Sequence, residues 1–218
     1  MGRKPRGLQP HAWLLTRLFR KILRTSVKWR IANVRAIGLE NIPRHGAGII
    51  ACNHQSFADP PVIWGSVPRN LVAVAMKELW RTPLAPVMWL LGHIPIDRGN
   101  AASAAKTRHR MERVVTNGGL VLIFPEGKMT RTGELLPFKH GATDIAWKTQ
   151  TAIIPAGIAG ASLAWPIGGK IARREPIVVC YGTPLLPADF ASSEELMTAM
   201  RASIVTLMAQ AEAVRAAA

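Results

Sequence analysis

Acidic residues are scarce in this sequence of 218 residues. It has 13 Asp and Glu against 28 Lys and Arg, which gives a formal net charge of +15 at pH 7. An excess of positive charge of this size predicts an anionic partner, such as a membrane surface, a nucleic acid, or an acidic carrier protein or coenzyme.

Cysteine is also rare. The only two, Cys52 and Cys180, lie at or within apolar, strand-like segments. Their number and spacing exclude a disulfide framework and a zinc site, so reduced core thiols are expected. Cys52 stands two residues before His54 and could be proposed as a nucleophile, although direct attack by a substrate hydroxyl would make it unnecessary.

The sequence lacks a clean membrane-spanning run. The longest weakly charged stretches, 82–96 and 149–169, are too short or are interrupted by proline and glycine. A signal peptide is not expected either, because Arg17 interrupts the apolar stretch that begins at Trp13 and no small-residue cleavage site follows. The protein should therefore stay in the cytoplasm, and a peripheral or monotopic position on the cytoplasmic face of the cell membrane is expected.

The first 35 residues contain no acid, and Glu40 is the first in the chain. Apolar residues recur at helical intervals between the cations, which predicts a basic amphipathic helix in the interface of an anionic membrane. Packing of this helix on the domain, with solvated arginines, is the alternative. The aromatic residues are confined to the apolar stripe instead of alternating with cations, which argues against single-stranded nucleic acid as the partner. The cations are Arg3, Lys4, Arg6, Arg17, Arg20, Lys21, Arg24, Lys28, Arg30 and Arg35.

Strand-like and helix-like segments alternate along the rest of the chain, which predicts an α/β sandwich. The expected architecture is one domain over residues 36–218, with a largely parallel mixed sheet flanked by helices, after the amphipathic segment 1–35. Predicted strands cover 31–38, 48–53, 71–75, 93–96, 120–124, 152–158 and 176–181. Predicted helices cover 59–64, 83–91, 101–117, 141–148 and 193–214, the last opened by Ser192 or Ser193.

The segment Asn53-His54-Gln55-Ser56-Phe57-Ala58-Asp59-Pro60 sets a histidine and a carboxylate five positions apart, where a strand should end and a helix begin. A neutral imidazole can accept a proton from a hydroxyl, while a carboxylate on its other nitrogen fixes the tautomer. Alternatively, Asp59 caps the helix that Pro60 begins, and His54 is an ordinary hydrogen-bonded residue. These residues alone leave both interpretations open.

A second polar segment follows the apolar run Leu120–Phe124. Pro125-Glu126-Gly127 comes directly after the run, and Lys128, Arg131, Lys139 and His140 follow. Ligand sites of open α/β sheets cluster at such strand ends. Its position downstream of the His54 segment favours a site over a solvated turn.

Together these segments resemble the glycerolipid acyltransferase family. The resemblance rests on four blocks in order: NHQSFADP at 53–60, GHIPIDR at 92–98, FPEG at 124–127 with GEL at 133–135 and FKHG at 138–141, and IIPAG at 153–157. Four ordered blocks are far more specific than any one of them. One departure is that Lys128-Met129-Thr130 stands where the family commonly has Thr-Arg-Ser.

The resemblance implies acyl transfer from a thioester to the free hydroxyl of a lysophospholipid, most simply 1-acyl-glycerol-3-phosphate giving phosphatidic acid. His54 would be the general base, oriented by Asp59. Arg98 and Lys139, with Lys128 or Arg131, would hold the acceptor phosphate, and Glu126 beside Gly127 would bind a glycerol hydroxyl or position those cations. His93 and His140 are expected to be structural. No metal and no cofactor are expected, with acyl-CoA or acyl carrier protein as co-substrate.

Other functions compete with this interpretation. An acyltransferase for another lysolipid, such as an amino-acid lipid or a glycolipid, would keep the same blocks, and a thioester hydrolase would use water at His54. A non-catalytic membrane-binding or nucleic-acid-binding protein would explain the charge but leave the four blocks unexplained. The expected partners are therefore a lysophospholipid, the acyl donor and an anionic membrane surface, without nucleic acid.

Overall fold

The structure is a computed structural model that describes residues 33–97, 99–130, 132–169 and 175–218. The predicted amphipathic helix, Arg98 and Arg131 therefore lie outside the described residues. In the described part of the chain, the strands are β1 (Val34–Ile37), β2 (Gly48–Cys52), β3 (Val72–Met76), β4 (Ile94–Ile96), β5 (Leu120–Ile123), β6 (Ile153–Ala159) and β7 (Ile177–Tyr181). The α-helices are α1 (Asp59–Ser66), α2 (Ala85–Leu90), α3 (Ala101–Thr116), α4 (Gly141–Thr149), α5 (Ala161–Ala164) and α6 (Ser193–Ala216).

The strands form one sheet in the order β1-β7-β6-β2-β5-β3-β4. All neighbouring strands are parallel except β6 and β7, which are antiparallel. The predicted largely parallel mixed sheet is thus confirmed. The sheet starts at Val34, so its first strand crosses the boundary that the sequence suggested between residues 35 and 36.

Strand β2 lies at the centre of the core, and all five of its residues are buried. Ile50 and Cys52 pack into the cluster that includes α1, while Ile49 and Ala51 pack into the cluster that includes α3, α4 and α6. Alternate side chains of a strand point to opposite faces, so a strand with helices on both faces is apolar throughout. The apolar sequence of β2 follows from this three-layer packing.

The helix ends follow ordinary capping chemistry. The Asn100 side chain accepts a hydrogen bond from Ser103 N at the start of α3, and the Ser192 hydroxyl accepts one from Glu195 N at the start of α6. Each cap satisfies a backbone N–H that the first helical turn leaves without a partner. The sequence predicted that Ser192 or Ser193 would begin α6, and the structure shows Ser192 as its N-cap residue.

None of the helices in the described ranges combines the length and the apolar character that a bilayer span requires.

Candidate active site

His54 and Asp59 meet at the carboxyl end of β2. The His54 Nδ1 atom lies 2.8 Å from Asp59 Oδ2. The His54 side chain is 9% exposed and that of Asp59 is fully buried. An ionised Asp59 accepts the hydrogen on Nδ1, which leaves Nε2 as the nitrogen that can accept a proton from a substrate. The structure therefore brings the predicted pair into direct contact.

Asp59 also holds the loop that carries His54. Its Oδ2 atom accepts hydrogen bonds from Gln55 N at 2.7 Å and from Ser56 N at 2.8 Å. Helix α1 begins at Asp59 with Ala58 as the N-cap residue, so the alternative that Asp59 is the N-cap is wrong. The carboxylate turns back towards the loop because the 54–56 backbone supplies its hydrogen-bond donors. Among the described residues, its buried Oδ1 atom has no hydrogen-bond partner.

The aromatic ring of Phe124 supports the imidazole. The two ring centroids are 4.0 Å apart, with an angle of 18° between the ring planes. Phe124 directly follows β5, which pairs with β2 in parallel register. Because parallel neighbours end at the same edge of a sheet, the segments after β2 and β5 meet there. The stack and the Asp59 hydrogen bond together fix the imidazole ring.

Glu126 links the main chains of the two loops. Its Oε1 atom accepts a hydrogen bond from His54 N at 2.8 Å, and Oε2 accepts one from Leu136 N at 2.9 Å. The residue is 2% exposed, and burial raises the pKa of its carboxyl group while the two backbone donors oppose that rise. Its described contacts are thus with the main chain, whereas the sequence suggested contacts with a glycerol hydroxyl or with cations.

Lys139 lies over the FPEG turn. Its main-chain N donates to Pro125 O at 2.9 Å, and a Cβ atom added at Gly127 would lie 2.9 Å from its Nζ. Gly127 has φ of 70°, a left-handed conformation that favours glycine. The lack of a side chain at Gly127 therefore leaves room for the Lys139 ammonium group directly above the turn.

A cleft of about 150 Å³ adjoins this lysine. Phe124, Pro125, Gly127 and Lys139 line it from the FPEG side, and Asp97 and apolar residues of β3, β4 and α3 also line it. Arg108 on α3 also lines the cleft, although it lies in none of the four blocks. The cleft thus combines an apolar wall with cations, an arrangement suited to an amphipathic anion.

The structure says less about the positions of the other cations that were predicted to hold the acceptor phosphate. Lys128 is exposed in the turn after Gly127, and it forms no ion pair with any residue that the structure describes. Arg98 and Arg131 lie outside the described residues. Asp97, which precedes Arg98, forms an ion pair with Lys77 and accepts a hydrogen bond from Gly99 N. This ion pair connects the carboxyl ends of β3 and β4.

His93 and the two buried cysteines lie in structural positions. His93 Nδ1 accepts a hydrogen bond from Ala73 N at 3.0 Å, and burial lowers the pKa of His93 to about 4. His140 is exposed at the N-cap of α4 and makes no side-chain capping bond. Burial raises the pKa of the Cys52 thiol well above its ordinary value, with Asp59 and Glu126 adding to the rise. A thiol held neutral in this way is a poor nucleophile.

Asn53 is a site residue that the sequence analysis did not single out. Its amide nitrogen donates to Ile158 O at 3.0 Å, and its amide oxygen accepts from Ile158 N at 2.8 Å. This pair extends the contact between β2 and β6 by one side chain and anchors the residue before His54. An asparagine directly after a buried strand is the only sequence signal for it, and that signal is weak.

The arrangement can perform general-base chemistry on a hydroxyl group next to a bound anion. It supplies an oriented imidazole with one free nitrogen, a buried carboxylate that stabilises the imidazolium, and cations beside the FPEG turn. No cluster of three or more His, Cys, Asp or Glu side chains that could hold a metal ion occurs in the described ranges.

Comparison with known proteins finds acyltransferases, both among family models and among individual relatives. A family model described as Acyltransferase matches residues 33–159. A 1-acyl-sn-glycerol-3-phosphate acyltransferase of Cocos nucifera is 37% identical over 144 residues, which are 65% of this chain and 47% of that protein. The enzyme of that name from Bacillus subtilis (strain 168) is 31% identical over 172 residues, which are 77% of this chain and 82% of the relative. The chain spans about half the length of the Cocos nucifera and Limnanthes relatives that it matches.

The fold agrees with a solved structure. The crystal structure of the 1-acyl-sn-glycerophosphate (LPA) acyltransferase PlsC from Thermotoga maritima matches with a TM-score of 0.78 and 25% sequence identity. The match covers 94% of this chain and 81% of that chain. The family model spans more than half of the residues, including the whole His54 and FPEG site, and so the chain belongs to the Acyltransferase family.

Proposed function

We propose that this protein transfers a fatty acyl chain from a thioester to the free hydroxyl of 1-acyl-glycerol-3-phosphate, giving phosphatidic acid. The observation that carries the proposal is the 2.8 Å contact between His54 Nδ1 and Asp59 Oδ2 beside the FPEG turn, in a chain of the Acyltransferase family. The names of the similar enzymes from Cocos nucifera, Bacillus subtilis and Thermotoga maritima support the choice of acceptor.

The proposed reaction begins at His54 Nε2. This nitrogen accepts the proton of the acceptor hydroxyl as the hydroxyl oxygen attacks the carbonyl carbon of the thioester. The carbon–sulfur bond then breaks, and the thiolate leaves with the proton that His54 returns. Asp59 stabilises the imidazolium between these steps. General-base assistance of this kind contributes about 10²–10⁴ in rate.

Two further groups prepare the site without taking part in proton transfer. Glu126 holds His54 N and Leu136 N, so it positions the catalytic loop against the segment that follows FPEG. Phe124 stacks on the imidazole and restricts the rotation of its ring. Both are positioning residues. Backbone N–H groups near the FPEG turn, other than Gly127 N, which donates to Phe124 O, are the proposed donors to the tetrahedral oxyanion.

The acceptor phosphate is assigned to cations around the FPEG turn. Lys139 is the cation that lies over the turn and lines the cleft, and Arg98 joins it in the proposal because it ends the GHIPIDR block next to Asp97. A guanidinium fork matches phosphate geometry better than an ammonium does. Lys128 or Arg131 would complete the set, at the position where the family commonly has Thr-Arg-Ser.

The donor and the location are part of the proposal. Acyl-CoA and acyl carrier protein both carry negative charge, which suits the net charge of +15. We expect the protein to work at the cytoplasmic face of the cell membrane, because the acceptor is a lipid and the first 35 residues are basic and amphipathic in sequence.

Product identification tests this function. The purified full chain is incubated with labelled acyl-CoA or acyl carrier protein and a panel of lysolipids, and the products are identified by mass spectrometry. We expect phosphatidic acid from 1-acyl-glycerol-3-phosphate, at a higher kcat/KM than any product from a phosphate-free lysolipid. Preference for a phosphate-free lysolipid would support an acyltransferase for another lysolipid, and release of free fatty acid alone would support a hydrolase.

A further inference from the structure

The connection between β3 and β4 exposes an unusual amount of apolar surface. Helix α2 has no buried residue, although its sequence is APVMWL. Trp89 is 74% exposed and the preceding Leu84 is 52% exposed. Large hydrophobic side chains that stand together on a surface, unlike scattered single ones, mark an interaction site. We call Leu84, Pro86 and Trp89 the α2 surface.

The part of the connection around α2 carries almost no charge. Between Leu79 and Ile96, Arg81 is the only fully charged residue, and it is exposed. His93 is neutral at neutral pH because burial lowers its pKa to about 4. The α2 surface thus has no acid of its own that would be repelled by an anionic layer. Its single cation suits contact with one.

The connection begins at the edge of the sheet that holds the catalytic loops. Strand β3 runs parallel to β5, and β5 runs parallel to β2, so the segments after all three leave from the same edge. The residues at the start of the connection are fixed there, because Lys77 forms an ion pair with Asp97 at the end of β4. Asp97 also lines the cleft beside Lys139. The start of the connection that carries the α2 surface is therefore held beside the cleft.

We propose that the α2 surface docks into the interface of an anionic lipid bilayer and forms a membrane contact of the folded domain, separate from residues 1–35. The stretch 82–96 is too short and too rich in proline to cross a bilayer, but Trp and Leu on a short exposed helix suit the boundary between headgroups and acyl chains. A lipid is favoured over a protein partner because residues 36–218 carry 18 Lys and Arg against 13 Asp and Glu and because, in the proposed function, the domain takes its acceptor from the bilayer. The inference depends on the proposed function only through this last point.

Vesicle binding of the full chain tests the proposal. The variant Leu84→Ser/Trp89→Ser is compared with Leu186→Ser/Val205→Ser, since Leu186 is 48% exposed and Val205 is 50% exposed elsewhere on the domain. Co-sedimentation with vesicles of phosphatidylcholine and phosphatidylglycerol should show binding about tenfold weaker for the α2 variant, because it loses apolar area that would be buried in lipid. The control should bind like the wild type. Both variants change exposed residues, so their thermal unfolding should match that of the wild type.

A second measurement reports the position of Trp89 directly. In vesicles that contain brominated lipid, the quenchable fraction of tryptophan fluorescence should be smaller for Trp89→Phe than for the wild type, because this substitution removes an inserted indole. Equal quenching of the two proteins, or equal binding of the α2 variant and its control, would overturn the proposal. Loss of a wild-type dimer in the α2 variant, measured by sedimentation equilibrium, would also overturn it and assign the surface to contact between copies.

An activity arm separates this inference from the proposed function. With 1-acyl-glycerol-3-phosphate in vesicles, the α2 variant should be slower than its control, and with a short-chain, water-soluble acceptor the two should be equal. Equal losses with both acceptors would contradict lipid docking. If the wild type acylates neither acceptor while the α2 variant still binds vesicles more weakly, the proposed function fails and the docking surface stands.

Discussion

At the scale of single residues, one oxygen atom organises the candidate catalytic loop. Asp59 Oδ2 accepts from His54 Nδ1, Gln55 N and Ser56 N at 2.7 to 2.8 Å. The same contact that orients the imidazole therefore also closes the turn that carries it. Folding depends on the hydrogen bonds of the Asp59 carboxylate to the main chain, whereas the proposed catalysis depends on its negative charge beside His54. Substitutions of Asp59 can separate these two roles.

The variants Asp59→Asn and Asp59→Ala should differ in stability but not in activity. Asn keeps an oxygen that can accept from Gln55 N and Ser56 N, whereas Ala leaves both buried donors unpaired, at a cost of about 1–3 kcal/mol. Both variants lose the negative charge that stabilises the imidazolium, so turnover should fall by about 10²–10⁴ in each. Urea unfolding and steady-state kinetics measure the two effects. Wild-type turnover in Asp59→Asn would contradict the assigned role of the carboxylate.

His93 should make the stability of the fold depend on pH. Its pKa in the folded state is about 4 and its ordinary value is 6.5, so between these values the unfolded chain binds the proton and the folded chain does not. Stability should therefore fall as pH falls from about 6.5 to 4, by about 1–2 kcal/mol between pH 7 and pH 5. His93→Asn retains an acceptor for Ala73 N but does not titrate. If urea unfolding of this variant changed between pH 7 and pH 5 as much as that of the wild type, His93 would not be the cause.

The spacing of His54 and Asp59 predicted their contact, because it spans a single turn between a strand and a helix. Other contacts at the site join residues distant in sequence. Asn53 pairs with the backbone of Ile158, 105 positions away, and Glu126 accepts from His54 N, 72 positions away. No local pattern contains such a contact. The sequence shows that Asn53 and Glu126 are polar residues at strand ends, but it does not show which residues they contact.

At the scale of elements, the site exists because β2 and β5 are adjacent and parallel. Their register pairs Ala51 with Ile123, so Asn53 and Pro125 follow at the same level of the sheet. The FPEG turn is then held by Gly127 N donating to Phe124 O and by Lys139 N donating to Pro125 O. Neighbouring strands thus supply the base and the cation that the proposed reaction requires.

Gly127→Ala and Gly133→Ala form a matched pair that tests this turn. Both glycines have positive φ, 70° and 85°, so each substitution should cost about 1–2 kcal/mol in backbone strain. Only the Cβ at Gly127 would meet Lys139, whereas the Cβ at Gly133 would meet no atom within 4 Å. Gly127→Ala should therefore raise KM for the phosphate acceptor by about tenfold or more, and Gly133→Ala should not. Equal KM values in the two variants would contradict the proposal that Lys139 binds the acceptor phosphate.

Apolar patterning predicted the main elements well. From residue 38 onwards, the observed bounds of every predicted strand and helix lie within two residues of the expectation. The short helix α5 and the 3-10 turns at 39–41, 77–81 and 187–189 were not predicted. These elements are too short to show a period, and tertiary contacts determine them. One such contact is the Ser56 hydroxyl group, which donates to Trp165 O directly after α5.

At the scale of the whole molecule, charge and apolar surface are distributed unevenly. The first acid of the chain is Glu40, while ten cations precede it. The described domain adds the exposed apolar α2 surface in the connection between β3 and β4. The sequence indicated the charge asymmetry, whereas the exposure of α2 required the structure, because an apolar stretch of that length is more often buried.

Neutralising the N-terminal cations should weaken binding to anionic vesicles. We expect Arg17, Arg20, Lys21 and Arg24, changed together to Gln, to lose at most about 1 kcal/mol of binding free energy per charge, with much less effect on neutral vesicles. Co-sedimentation with phosphatidylglycerol and with phosphatidylcholine vesicles measures the difference. The same loss on both lipids would show that the segment does not bind through charge.

The most direct test of the proposed chemistry is the turnover of His54→Ala compared with His109→Ala. His109 is exposed on α3 and makes no contact at the site, so its variant controls for the loss of an imidazole. In an assay that follows a labelled acyl group from thioester to 1-acyl-glycerol-3-phosphate, we expect His109→Ala to turn over like the wild type. His54→Ala should lose about 10²–10⁴ in kcat while it stays folded at the assay temperature, although the loss of the Phe124 stack and of the Asp59 hydrogen bond should lower its Tm. Transfer by His54→Ala at the wild-type rate would contradict the claim that His54 is the base.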